Sequence, residues 1–144
     1  MKRSRASSPF TKPVVALIAI YFAASLAHFA HNAEFIAFYP NMPSWLTREK
    51  VYLAWLAITG LGVAGLVISR LGLHALATLV MAAYGALGLD GLGHYTLALC
   101  SEHTLATNVT IWSEVIAGCV LMSVSAVLFS RCIAQLPGRL EREA

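Results

Sequence analysis

Four long apolar runs alternate with short polar connections along the chain, and their lengths predict four helices. A hydrocarbon core of about 30 Å needs about 20 mostly apolar residues in helical form. Runs of that size cover approximately 14–38, 51–68, 73–97 and 105–129. They are joined by YPNMPSWLTREK, SRLG and ALCSEHT. The first connection is proline-rich and carries Trp45 at an interfacial position, whereas SRLG permits only a tight helical hairpin broken at Gly72. The pattern predicts an all-α, integral membrane four-helix bundle over 14–133. A basic tail, 1–13, precedes it and a second tail, 134–144, follows.

Basic residues orient the bundle. Lys2, Arg3, Arg5 and Lys12 precede the first span, Arg70 separates the second from the third, and Arg131, Arg139 and Arg142 follow the fourth. After four crossings these all fall on one side, opposite Arg48 and Lys50. The positive-inside rule therefore predicts that both termini are cytoplasmic and that the 39–50 and 98–104 connections face outward. The expected location is the cytoplasmic (inner) membrane, with the periplasmic or external side facing the outer half. Ser25-Leu26-Ala27 matches a small-x-small cleavage site, but the apolar run continues through EFIAFY, so the segment reads as a span rather than a removed signal.

Composition agrees with the pattern. Of 144 residues 58% are hydrophobic and 12% charged, against about 45–50% and about 25% in soluble domains. The net charge of +3 gathers at the chain ends. It suits anionic lipid headgroups, and no basic stripe with interleaved aromatics predicts nucleic-acid binding. Cys100, Cys119 and Cys132 form no CxxC pair and no disulfide framework. Glycines in GLGVAG and AAYGALGLDGLGHY allow close helix approach in lipid, within the bundle or toward a homo-oligomer or larger membrane complex.

Against this apolar background the ionisable residues stand out. With about 1.5 Å rise per residue, Glu34, His31 and His28 lie roughly 6, 11 and 15 Å below the outer end of the first span. Asp90 and His94 lie roughly 11 and 5 Å below the end of the third, and Glu114 about 13 Å below the start of the fourth. On an ideal helix His28, His31 and Glu34 are successively about 60° apart, while Asp90 and His94 are about 40° apart. Three spans thus place carboxylates and imidazoles in one layer. Asn32, Tyr95, Ser101, Thr104, Asn108, Thr110 and Ser113 extend the patch.

Intramembrane ionisable groups cost about 3 kcal/mol upward unless they find partners. Imidazoles with carboxylates suit a transition metal ion such as Cu, Fe, Mn or Zn, in a mononuclear or dinuclear site. The candidate ligands are His28, His31, Glu34, Asp90, His94 and Glu114, with His103 as a possible lid. The expected chemistry is redox or oxygen chemistry on a lipophilic substrate, or service to a larger complex. Three other readings compete. Haem b could sit between His94 and either His28 or His31; no CxxCH is present for covalent attachment. Glu34, Asp90 and Glu114 could instead titrate in a proton-coupled binding or transport site. The chain could also be a structural subunit. His74, near the opposite membrane face, reads as an interfacial residue.

One short motif resembles a known family. DGLGHYTLALCSEH, read as Asp90-x3-His94-x8-His103, resembles the Asp-x3-His-then-His arrangement of the membrane copper subunit of methane and ammonia monooxygenases. The resemblance spans 14 of 144 residues and has a shorter second gap. It implies that such a spacing can bind copper.

Overall fold

The computed structural model describes residues 8–135. The basic residues Lys2, Arg3, Arg5, Arg139 and Arg142 lie outside them. The described residues are helical, with no strand. Helices α1 (Lys12–Glu34), α2 (Arg48–Arg70), α3 (His74–Ala86), α4 (His94–Leu97) and α5 (Leu105–Ala134) follow in order. A 3-10 segment, Leu87–Gly93, joins α3 to α4, so His74–Leu97 acts as one span. Among the described residues, four helices are therefore long and apolar enough to cross a membrane. The molecule fits a multi-pass membrane protein in a lipid bilayer.

Local chemistry sets the helix ends. Pro13 lies in the first turn of α1, where its missing N–H and fixed φ cost nothing. Thr47 caps α2 by accepting from Lys50 N at 3.4 Å, and Thr104 caps α5 by accepting from Thr107 N at 3.1 Å. Gly72, at φ +85°, makes the α2–α3 hairpin turn. Helix α1 stops at Glu34, short of the end expected near 38. Phe35 leaves helical geometry at φ −120° and ψ 31°, and a 3-10 turn over Ile36–Phe38 swings the chain back across the bundle.

The spans pack as a ring in the order α1, α2, α3, α5, with α5 returning to α1. Their buried positions follow a 3.5-residue seam. On α1 these are Val14, Ile18, Tyr21, Ser25, His28 and Asn32. On α5 they include Thr107, Ile111, Glu114, Gly118, Leu121 and Ser125. The two seams run antiparallel, with Tyr21 against Gly118 and His28 against Glu114. Towards the chain termini the seams are apolar except for the buried hydroxyl of Ser125. There Val14, Ile18, Tyr21, Met81, Tyr84, Ala117 and Leu121 form the core, and the Tyr21 and Tyr84 rings meet edge to face at 4.7 Å.

Glycine permits this packing. A Cβ on Gly118 would lie 2.6 Å from Gly85 O, and one on Gly85 would lie 2.6 Å from Met122 N. The α3 and α5 backbones therefore touch, the close approach that drives association in lipid. At the distal end, away from the termini, the same seams turn polar.

Candidate functional site at the distal end

The distal polar layer is assembled from four parts of the chain. His28 and Asn32 come from α1, His94 from α4, His103 from the connection before α5, and Glu114 from α5. His28 and Glu114 are 2% and 1% exposed, and His28 Nε2 lies 3.8 Å from Glu114 Oε2. The His28 and His94 rings stand edge to face at 5.3 Å, and those of His94 and His103 at 6.3 Å. Asn32 Nδ2 lies 3.3 Å from His94 Nε2. Gly91 faces the carboxylate, and a Cβ there would lie 3.6 Å from Glu114 Oε2.

Tyr39 closes the layer from above. It is 3% exposed, and its ring lies 4.9 Å from that of His94, 6.4 Å from His103 and 6.5 Å from His28. Burial pushes its phenol up to about 12, so it keeps its proton at any physiological pH. The hydroxyl shares a hydrogen bond with His31 Nδ1 at 2.9 Å, its direction set by the His31 tautomer. His31 thus acts on the layer through Tyr39 rather than by entering it.

The connections carrying these groups are pinned. Asn41 Nδ2 donates to Leu97 O at 2.8 Å, holding the 39–47 connection against α4. Tyr95 donates to Asn108 Oδ1 at 2.8 Å, and Asn108 Nδ2 donates to Cys100 O at 3.0 Å. Tyr95 also stacks on His103, with centroids 5.4 Å apart. Glu102 accepts from Leu99 N at 2.6 Å, which gives it a turn-capping role.

Two of the expected ligands stand apart. Glu34 accepts from Arg48 Nη2 at 2.7 Å, from Arg48 Nε at 2.9 Å and from Tyr52 OH at 2.8 Å. Its side chain is 41% exposed, and it clamps the end of α1 to the start of α2 on the outside of the bundle. Asp90 is exposed on the wall of an open cleft of about 340 Å³ beside the layer. His74 begins α3 at the opposite end. The structure thus brings together His28, His94, His103 and Glu114, with His31 behind Tyr39.

The layer is short of partners. Among the described residues, His28 Nδ1, both His103 ring nitrogens, both Glu114 oxygens and Asn32 Oδ1 are buried with no hydrogen bond. Each orphaned group costs about 1–3 kcal/mol, and more where no water can reach it. As placed, no three His, Cys, Asp or Glu side chains among the described residues stand close enough to share one ion. The His28–Glu114 pair is the nearest approach to such a group.

Sequence reasoning missed Tyr39. It follows the first apolar run and precedes Pro40, and only the return of the 35–47 connection brings it over the layer. No known protein family, curated protein or solved structure matches the chain.

Proposed function

We propose that the distal layer is a transition-metal centre of a small multi-pass membrane protein, held by His28 and Glu114 with His94 and His103 as the further donors. The supporting observation is the convergence of orphaned, buried nitrogen and oxygen atoms from separate elements in one membrane-embedded layer. Ligand distances of about 2.0–2.2 Å from each donor span a gap of the order seen between His28 and Glu114. A third donor has to come from His94 or His103 by side-chain rotation. Tyr39 and His31 act behind the donors, with Tyr39 packed on the His94 ring and oriented by its bond to His31. The ion, Cu, Fe, Mn or Zn, would supply redox or Lewis-acid chemistry to a lipophilic substrate or to a larger membrane complex. The layer faces the periplasmic or external side in this reading, because Lys12, Arg70 and Arg131 mark the other end. Haem b fits less well. The His28 and His94 rings pack edge to face with Tyr39 against both, which leaves no slot for a macrocycle between them.

Elemental analysis of protein purified without a histidine tag tests the proposal. One metal is expected at stoichiometric level, retained in His74→Ala and reduced at least about tenfold in His28→Ala and Glu114→Gln. Wild-type protein that takes up none of the four metals on reconstitution would overturn it. So would variants that keep the full metal content. The nearby cleft favours, as a second reading, a proton-coupled binding site, for which metal content is zero and ligand affinity varies with pH.

A further inference from the structure

Helix α2 packs along α3 but hardly touches the 3-10 segment that follows. The cleft of about 340 Å³ opens there, between the distal ends of α1, α2 and the 87–97 segment. That volume lies in the range of small-molecule sites, about 300–1,000 Å³. Its apolar wall includes Phe29, Met42, Leu46, Val51 and Ala54, and no lysine or arginine lines it.

Five polar residues also line the cleft; Thr96 donates to Gly93 O and His94 meets Asn32, which leaves Asp90, Asn32 and His28 to offer unpartnered atoms. Asp90 brings a carboxylate with no ion pair or hydrogen bond among the described residues. Asn32 is 6% exposed with an unpartnered Oδ1, and His28 is 2% exposed with an unpartnered Nδ1. Single anionic charge plus a buried acceptor calls for a monovalent cation that still carries N–H donors. A ligand with net negative charge would be repelled, whereas an ammonium group can meet the carboxylate directly. A hard divalent cation would need six or more oxygen ligands, which apolar walls cannot supply. Phe29 can additionally face a cation through its ring.

We propose that this cleft binds an amphiphile with a primary ammonium head, the head at Asp90 and Asn32 and the chain along the α1 and α2 walls. The proposal does not rest on a metal at His28 and Glu114. Its ligand is either a free alkylamine or a lipid with an ethanolamine headgroup.

Equilibrium binding of labelled dodecylamine to the purified protein in dodecyl maltoside micelles tests it, on protein as isolated and after chelator treatment. Saturable binding is expected, at least about tenfold tighter than for dodecanol, and in both preparations. Asp90→Asn is expected to abolish the preference for the amine. Ala54→Phe, at an exposed position of α2 on the cleft wall, is expected to abolish binding of both probes while leaving the fold intact. Competition by phosphatidylethanolamine would identify a lipid headgroup as the source, and binding of dodecylamine without such competition a free amphiphile. An amine preference that survives Asp90→Asn, or unchanged binding in Ala54→Phe, would overturn the proposal. Binding that requires the metal would tie the cleft to the metal centre and overturn its independence.

Discussion

Glu34 and Glu114 are both carboxylates on distal helix turns, yet their surroundings separate their roles. Glu34 accepts three short hydrogen bonds from Arg48 and Tyr52 at the surface, with Arg48 itself 60% exposed. A pair so open to solvent is worth about 0.2–1 kcal/mol. Glu114 is buried beside His28 with both oxygens unpartnered. Glu34→Gln is therefore expected to lower stability by less than about 1 kcal/mol and to leave metal content unchanged. A metal loss in Glu34→Gln equal to that of Glu114→Gln would return Glu34 to the ligand set. The distinction follows from helix geometry. Residues spaced i, i+3, i+6 drift about 60° per step, so Glu34 sits about 120° from His28, outside an inward stripe about 100° wide. His28 and Asn32, one turn apart on the seam, both point inward. The ionisable types were legible along the chain. Their common direction was not, because each step was small while the sum was large.

At the scale of the element, the third span decides the most. It changes from α to 3-10 geometry at Leu87, within a stretch containing Gly88, Gly91 and Gly93. Glycine lowers helix propensity by about 1 kcal/mol per residue, which weakens the α-helix here. The 3-10 form turns about 120° per residue, so Asp90 and His94 are about 120° apart instead of about 40°. Asp90 reaches only the cleft, whereas His94 lies between the cleft and the polar layer. An ideal-helix reading of the sequence could not separate them, although the glycines that cause the change were in plain view. Just before this stretch, Gly85 sets the α3–α5 distance together with Gly118 on α5. Gly118→Ala would place a methyl group 2.6 Å from Gly85 O, 3.1 Å from Gly88 Cα and 3.1 Å from Tyr21 Cε2. Two of those neighbours are backbone and cannot rotate away. The expected cost is about 1–3 kcal/mol, read as a fall of roughly 5 °C or more in the thermal unfolding midpoint in detergent. Gly60→Ala, with open space around it, is the control and should leave the midpoint unchanged or slightly raised. Equal midpoints for the two variants would show that α3 and α5 do not touch as described.

For the whole molecule, the number of spans and the connections between them were legible from apolar run length alone, because the lipid core fixes the length of a spanning helix. Which end faces the cytoplasm follows the number of Lys and Arg residues flanking the spans. At the distal end Arg48 is bound to Glu34, and Lys50 donates to Trp45 O at 2.7 Å with its ammonium 5.4 Å from the Trp45 ring centroid. Both distal cations are thus held in local contacts beside an interfacial tryptophan. Among the described residues, Lys12, Arg70 and Arg131 stand at the other end with no opposing carboxylate in an ion pair. The proposed orientation, with the distal end away from the cytoplasm, rests on the Lys and Arg count and is open to direct test. The native cysteines report on this directly. Cys100 is exposed in the distal connection, whereas Cys132 lies near the opposite end of α5 and Cys119 within its membrane-spanning part. A membrane-impermeant maleimide added to intact spheroplasts is expected to label the wild-type protein and to fail on Cys100→Ser. Disrupting the membrane should then restore labelling of that variant through Cys132 if its half-buried thiol is reached, without affecting the first comparison. Labelling of Cys100 only after lysis would invert the molecule. The metal layer and the cleft would then open toward the cytoplasm, and their ligands would have to be drawn from that side.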